Sequence, residues 1–121
     1  MEIYFTVSEV REFETGATRH VDQGKLDYAR FNDPMVEKLY AEYLQKHRVQ
    51  ADGKLREPDN WKKGIPEDVY LSSLYRHLHD VWLHMHGYSG QATESMLDSL
   101  CGARFNLNGL IYEIFAKGKK G

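Results

Sequence analysis

Residues 66–87 read PEDVYLSSLYRHLHDVWLHMHG, and this stretch decides the fold. Pro66 suits a first helical position, Glu67 and Asp68 place negative charge against the positive end of a helix dipole, and Gly87 suits the stop. Between them Leu71, Leu74, Tyr75, Leu78, Val81, Trp82 and Met85 recur at three- and four-residue steps, the period of an amphipathic helix with a core stripe. Working upstream, Asp33-Pro34 is a second helix start, and Val36, Leu39, Tyr40, Tyr43, Leu44 and His47 form an apolar face. Lys46, His47 and Arg48 lie at the end where cations complement the dipole. Downstream, Thr93 can cap a third helix whose stripe runs through Met96, Leu97, Leu100, Ala103, Leu107, Leu110, Ile111 and Ile114 before Gly118. Phe105, Tyr112 and Cys101 fall on its other side, so this helix is expected to pack on two sides, centrally or at a subunit interface.

Residues 1–31 have no helical period. Ile3-Tyr4-Phe5-Thr6-Val7, followed by Gly16 and Gly24, predicts an extended arm that can contain a short strand. The expected architecture is mainly α: one domain over residues 1–121, with an extended arm over 1–31 and a small bundle of three main helices over 32–121. A chain of 121 residues buries only about two thirds of its unfolded surface, which makes a homo-oligomer a natural expectation.

Composition narrows the function. With 16 basic and 18 acidic residues there is no general field to attract a DNA or RNA duplex or an anionic membrane, so anion binding must come from local clusters. A single cysteine rules out an internal disulfide framework, and no apolar run reaches the roughly 18 residues of a membrane span. These features predict a soluble cytoplasmic protein.

The chemistry-bearing residues begin in the aperiodic stretch 49–65. Asp52-Gly53, Pro58-Asp59 and Gly64 mark a long loop, and it carries Lys54, Arg56, Asn60, Trp61, Lys62 and Lys63. A flat aromatic beside an amide and several cations is what an anionic aromatic ligand such as a nucleotide needs, although an indole capping a bundle has the same signature. On the second helix His77, Asp80 and His84 share a narrow arc, while Glu94 and Asp98 lie one turn apart near the start of the third. Together they could supply oxygen and nitrogen ligands to a divalent metal, or simply form a solvated polar face. Arg104 and Asn106 interrupt the third helix, and each must be paired within the protein or turned into a cavity. Nothing near Cys101 would activate its thiol, so it reads as a small buried residue.

The ordered set Phe13-Glu14-Thr15-Gly16-Ala17-Thr18-Arg19, Gly24-Lys25-Leu26-Asp27-Tyr28, Lys46-His47-Arg48-Val49-Gln50-Ala51-Asp52-Gly53, Asp59-Asn60-Trp61-Lys62-Lys63-Gly64-Ile65-Pro66, Arg76-His77, Asp80-Val81-Trp82 and Phe105-Asn106 resembles a phage and prophage family, the amino-terminal domain of dATP/dGTP diphosphohydrolase. The matches extend over nearly all of the chain beyond residue 12. The resemblance implies phage origin, a helical fold, action in the host bacterial cytoplasm, and removal of pyrophosphate from purine deoxynucleoside triphosphates with magnesium or manganese. It also implies a site built from Arg19, Lys25, Asp27, Asn60, Trp61, Lys63, Arg76, His77 and Asn106. The chain departs from the family in carrying Ser99 and Gly102 where many members have histidines. Its only Glu-x-x-Glu spacing of the kind used by all-helical MazG-type pyrophosphatases, Glu9-Val10-Arg11-Glu12, lies in the arm.

Three functions follow. In the first, a pyrophosphohydrolase uses Asp80, Glu94 and Asp98 on metal, His77 and Asp80 as catalytic groups, and Lys63 and Arg76 on phosphates. In the second, a non-catalytic binder sequesters a nucleotide signal of host immunity, an anti-defence role requiring no metal. In the third, the helices serve only to build an oligomeric interaction protein.

Overall fold

The computed structural model describes residues 10–20 and 24–120. They fall into two units, residues 1–34 and residues 35–121, taken in turn. The expected strand at Ile3–Val7 and the acidic residue Glu9 lie outside the described residues.

In the first unit the arm folds back on itself. Strand β1 (Val10–Glu12) pairs antiparallel with β2 (Thr18–His20), with Val10 opposite His20 and Glu12 opposite Thr18. The turn between them is closed by Phe13 N–H donating to the Ala17 carbonyl at 2.8 Å, and Gly16 sits there at φ 87°. That positive φ is open to glycine at no steric cost. The short strand expected within the arm is thus present, built from Val10-Arg11-Glu12 and its partner.

The second unit holds three helices, α1 (Pro34–Lys46), α2 (Glu67–Met85) and α3 (Met96–Lys120). The bundle is mainly α, as the periodicity predicts. Helix α2 ends where expected: Gly87 takes φ 80°, and the Tyr88 N–H reaches back to the Leu83 carbonyl at 2.8 Å, closing the last turn. Helix α3 differs at both ends. Ser95, not Thr93, caps it, its hydroxyl accepting the Asp98 N–H at 3.1 Å. The helix also continues through Gly118 to Lys120.

Helices α2 and α3 pack through a face that the apolar periodicity does not reveal. The ring of His77 lies over Gly102 and the ring of Tyr70 over Gly109, so closely that a Cβ at either glycine would sit 2.4 Å and 2.3 Å from ring carbons. Both pairs are seven residues apart and run in opposite sense, so the helices are antiparallel and in register by ring-on-glycine contacts. Around them Leu74, Ser99, Cys101, Ala103 and Asn106 are buried. The expected α2 stripe is therefore mostly outside. Leu74 is buried, but Leu71 and Leu78 are 43% exposed, Tyr75 and Trp82 64%, and Met85 70%. On α3 Ala103 is buried, whereas Leu97, Leu100, Leu107, Ile111 and Ile114 are exposed. The reason is steric, since glycines let two helix backbones approach with a flat ring between them, a closer fit than branched side chains on both helices permit.

Helix α1 joins α3 through polar contacts. Arg104 Nη2 donates to both oxygens of Glu37 at 2.8 and 3.0 Å, and its guanidinium stacks 4.0 Å from the Tyr40 ring centre. Lys46 donates to Asp98 at 2.6 Å. Arg104 is thus paired within the protein, and Tyr43 is the buried anchor of the α1 face.

Candidate functional site

The aperiodic stretch after α1 is ordered, and its bonds show how. Val49 bridges Leu55, Arg56 N–H donates to the Arg48 carbonyl and Gln50 N–H to the Lys54 carbonyl, both at 2.8 Å, and the tip turns at Gly53. This short hairpin leads through Pro58 into a 3-10 turn at Asn60–Lys63. Two contacts with α3 hold that turn. Trp61 meets the Tyr112 ring edge-on at 4.9 Å, and Ile65 N–H donates to Glu113 Oε1 at 3.1 Å.

Between the hairpin, the 3-10 turn and the three helices lies a cavity of about 480 Å³, within the usual range of small-molecule sites. Its apolar walls come from Tyr43 and Leu44 of α1, from Trp61 and Ile65, and from Phe105 of α3. Its polar groups include Asn60, His77, Asn106 and the hairpin arginines Arg48 and Arg56. Asn106 is 4% exposed and donates its amide to the Gly102 carbonyl at 2.7 Å. Its side-chain oxygen makes no hydrogen bond among the described residues and remains available as an acceptor. Five residues singled out by the sequence, Arg56, Asn60, Trp61, His77 and Asn106, are therefore brought together. By sequence Tyr43, Arg48 and Phe105 belong to the α1 face, the dipole-complementing end of α1 and the rear face of α3. Only the tertiary arrangement turns them toward one space.

Two expected residues of the helical unit go elsewhere. Lys63 does not line the cavity, and neither does Arg76, whose guanidinium donates to Ser72 Oγ at 2.9 Å and Ser73 Oγ at 3.2 Å on its own helix. Arg19, Lys25 and Asp27 lie in the first unit. Arg19 stands on β2, and Asp27 accepts the Arg30 N–H at 3.1 Å in a turn.

The acid and imidazole set on α2 does not meet at a common ligand either. Asp80 accepts from Thr93 twice, from its hydroxyl at 2.5 Å and its N–H at 3.3 Å. His84 contacts Ser89 Oγ at 2.8 Å and the Glu94 carbonyl at 2.7 Å. His77 Nδ1 lies 3.1 Å from Glu94 Oε1, and Asp98 is taken by Lys46. All three α2 groups thus face the connector to α3 and hold it in place. Among the described residues no group of three or more His, Cys, Asp or Glu side chains is placed to hold a metal ion. Asp80, Glu94 and Asp98, the residues expected to hold a metal, are each engaged by an internal partner, Thr93, His77 and Lys46 respectively.

The Asp80 carboxyl is held below its ordinary value of 3.8, chiefly by the Thr93 hydroxyl and against the opposing effect of burial, with the Thr93 and Glu94 N–H groups assisting. A depressed folded value means that this stabilisation is fully present above the unfolded carboxyl range and is lost as pH falls through the folded value. Asp80→Asn should therefore be less stable than the parent at pH 7, and the gap should narrow below about pH 4. Urea titrations at pH 7 and pH 3 measure it, and an equal gap at both would disprove the linkage. Burial, with Asp98 next, raises the Cys101 thiol, which fits the inert role expected for it.

No helix among the described residues is long and apolar enough to cross a membrane. No protein-family model, curated protein or solved structure matches this chain.

Proposed function

We propose that the chain binds a nucleotide in the cavity formed by the hairpin, the 3-10 turn and the three helices, without needing to turn it over. The observation that carries this reading is the convergence of Trp61, Tyr43 and Phe105 with Asn60 and Asn106 on one space of about 480 Å³. Aromatic faces accept a base by stacking, and amides read its hydrogen-bonding edge. The carboxylates that hydrolysis would recruit are engaged with Thr93, Lys46 and His77, which favours holding a ligand over cleaving it. In a phage-infected bacterium such a protein would act in the cytoplasm by sequestering a nucleotide signal of host immunity. A second reading, the dATP/dGTP diphosphohydrolase suggested by sequence resemblance, is favoured by the His77–Glu94 pair beside the cavity, an imidazole–carboxylate arrangement suited to general-base work.

One experiment separates them. The protein is mixed with dGTP, dATP and cyclic nucleotides, with and without magnesium or manganese, and thermal shift and chromatographic turnover are read together. Stabilisation by an intact nucleotide supports the binder, because a ligand selective for the native state raises its stability by mass action. Trp61→Ala should weaken that binding by about 10- to 100-fold, the usual worth of one base-stacking platform. Conversion to monophosphate would establish the hydrolase instead, and silence throughout would remove both.

A further inference from the structure

We propose that Arg48 and Arg56, at the root of the hairpin, are the residues that hold the phosphate groups of the nucleotide, an assignment that rests on the nucleotide reading above. Of the cations that the sequence offers for phosphate, Lys54, Arg56, Lys63 and Arg76, only Arg56 lines the cavity, and Arg48 joins it there.

Several cations of the helical unit are paired internally. Arg104, between α1 and α3, is neutralised by Glu37 at 2.8 Å. Lys46 has Asp98, Lys38 has Glu42, and Lys117 has Glu67. Arg48 and Arg56 line the cavity, yet among the described residues no carboxylate lies within ion-pair distance of either. Glu57 lines the same cavity and pairs with neither. A guanidinium is always charged, so an apolar-walled cavity lined by two unpaired ones favours an anionic occupant.

The two side chains are also held in place. Arg48 Nε donates to the Arg56 carbonyl at 2.7 Å, and its Nη1 donates to Gln45 Oε1 at 3.0 Å. Arg56 reciprocates through Nη2 to the His47 carbonyl. These bonds fix the guanidiniums against the hairpin backbone and leave Arg48 Nη2 and Arg56 Nε and Nη1 without a protein acceptor among the described residues. A phosphate supplies several oxygens to such donors, and two arginines already ordered lose little freedom in taking it. The aromatic walls and the two arginines thus divide the work, base on one side and phosphate on the other.

The test is calorimetric titration of the intact chain with dGTP and dATP and with the corresponding deoxynucleosides, at low and moderate salt. The parent should bind the triphosphates at least about tenfold more tightly than the nucleosides, with an affinity that falls as salt rises. Arg48→Gln and Arg56→Gln should each lower triphosphate affinity at least about tenfold and leave nucleoside binding nearly unchanged. Lys38→Gln, on the outer face of α1, should bind like the parent. Because either substitution can loosen the hairpin, a measurement on the parent accompanies them: dGTP should protect Arg48 and Arg56, but not Arg76, which does not line the cavity, from an arginine-modifying dicarbonyl, read by mass spectrometry. Parent binding that survives both substitutions unchanged, or binding without that protection, overturns the arginine assignment and leaves the nucleotide reading intact. A parent that binds no nucleotide overturns both.

Discussion

Gly109→Ala is expected to be among the most damaging single-methyl changes the helical unit can receive. The added Cβ would lie 2.3 Å from two carbons of the Tyr70 ring, and Tyr70 is 1% exposed, so the ring has no solvent-facing rotamer into which to retreat. Overpacking of this kind costs about 1–3 kcal/mol, and here the upper end applies because both the ring and the helix backbone are confined. That is a loss of about 10 °C or more in Tm for a unit of this size. Gly102→Ala should cost somewhat less, since His77 is less deeply buried than Tyr70 and can swing away by giving up Glu94. The control is Tyr70→Phe. The Tyr70 hydroxyl is a buried polar atom with no hydrogen-bond partner among the described residues, so its removal should be neutral or mildly stabilising. Thermal unfolding followed by circular dichroism measures all three, and a Gly109→Ala protein within about 0.5 kcal/mol of the parent would rule out the ring-on-glycine packing.

The second large effect concerns the apolar residues left outside. Leu71, Tyr75, Leu78, Trp82 and Met85 step along α2 by four, three, four and three residues, the spacing of a helix seam that meets another helix. All five are exposed, and contiguous apolar surface on this scale marks an interaction site. If a second copy covers the stripe, light scattering behind size-exclusion chromatography will report a mass that is a multiple of 14.1 kDa. Leu78→Glu combined with Trp82→Glu should then return the chain to its monomer mass. Each buried unpaired charge costs several kcal/mol, more than a hundredfold in association constant. The substitutions lie off the Tyr70–Gly109 and His77–Gly102 contacts and should leave unfolding of the helical unit nearly unchanged. A parent that is already monomeric would rule out self-association through this face.

The three helices and their approximate ends were readable because helical period, capping residues and dipole-matched charges are local properties, evaluated within a few residues of chain. The stretch 49–65 was readable as a break in the helical period that sets Trp61 and Asn60 among cations. The shared arc of His77, Asp80 and His84 was likewise correct as helix geometry. Their partners were not legible, because the connector carrying Thr93 and Glu94 folds back and supplies them.

By itself, then, the sequence determined which segments become helices, which side chains share a helix face, and where polar and aromatic groups concentrate. Tertiary structure decided which of those faces is buried and which residues line the cavity. Gly102 and Gly109 are nearly silent in a hydrophobic pattern, yet they let the rings of His77 and Tyr70 come between α2 and α3 and set the register of both helices. That register turns the leucine stripes outward and brings Asn106 and Phe105 to the same space as Trp61 and Arg48. Local preference is summed along the chain, whereas packing depends on whether two surfaces far apart in sequence can approach, and here the absence of a Cβ at two positions allows it.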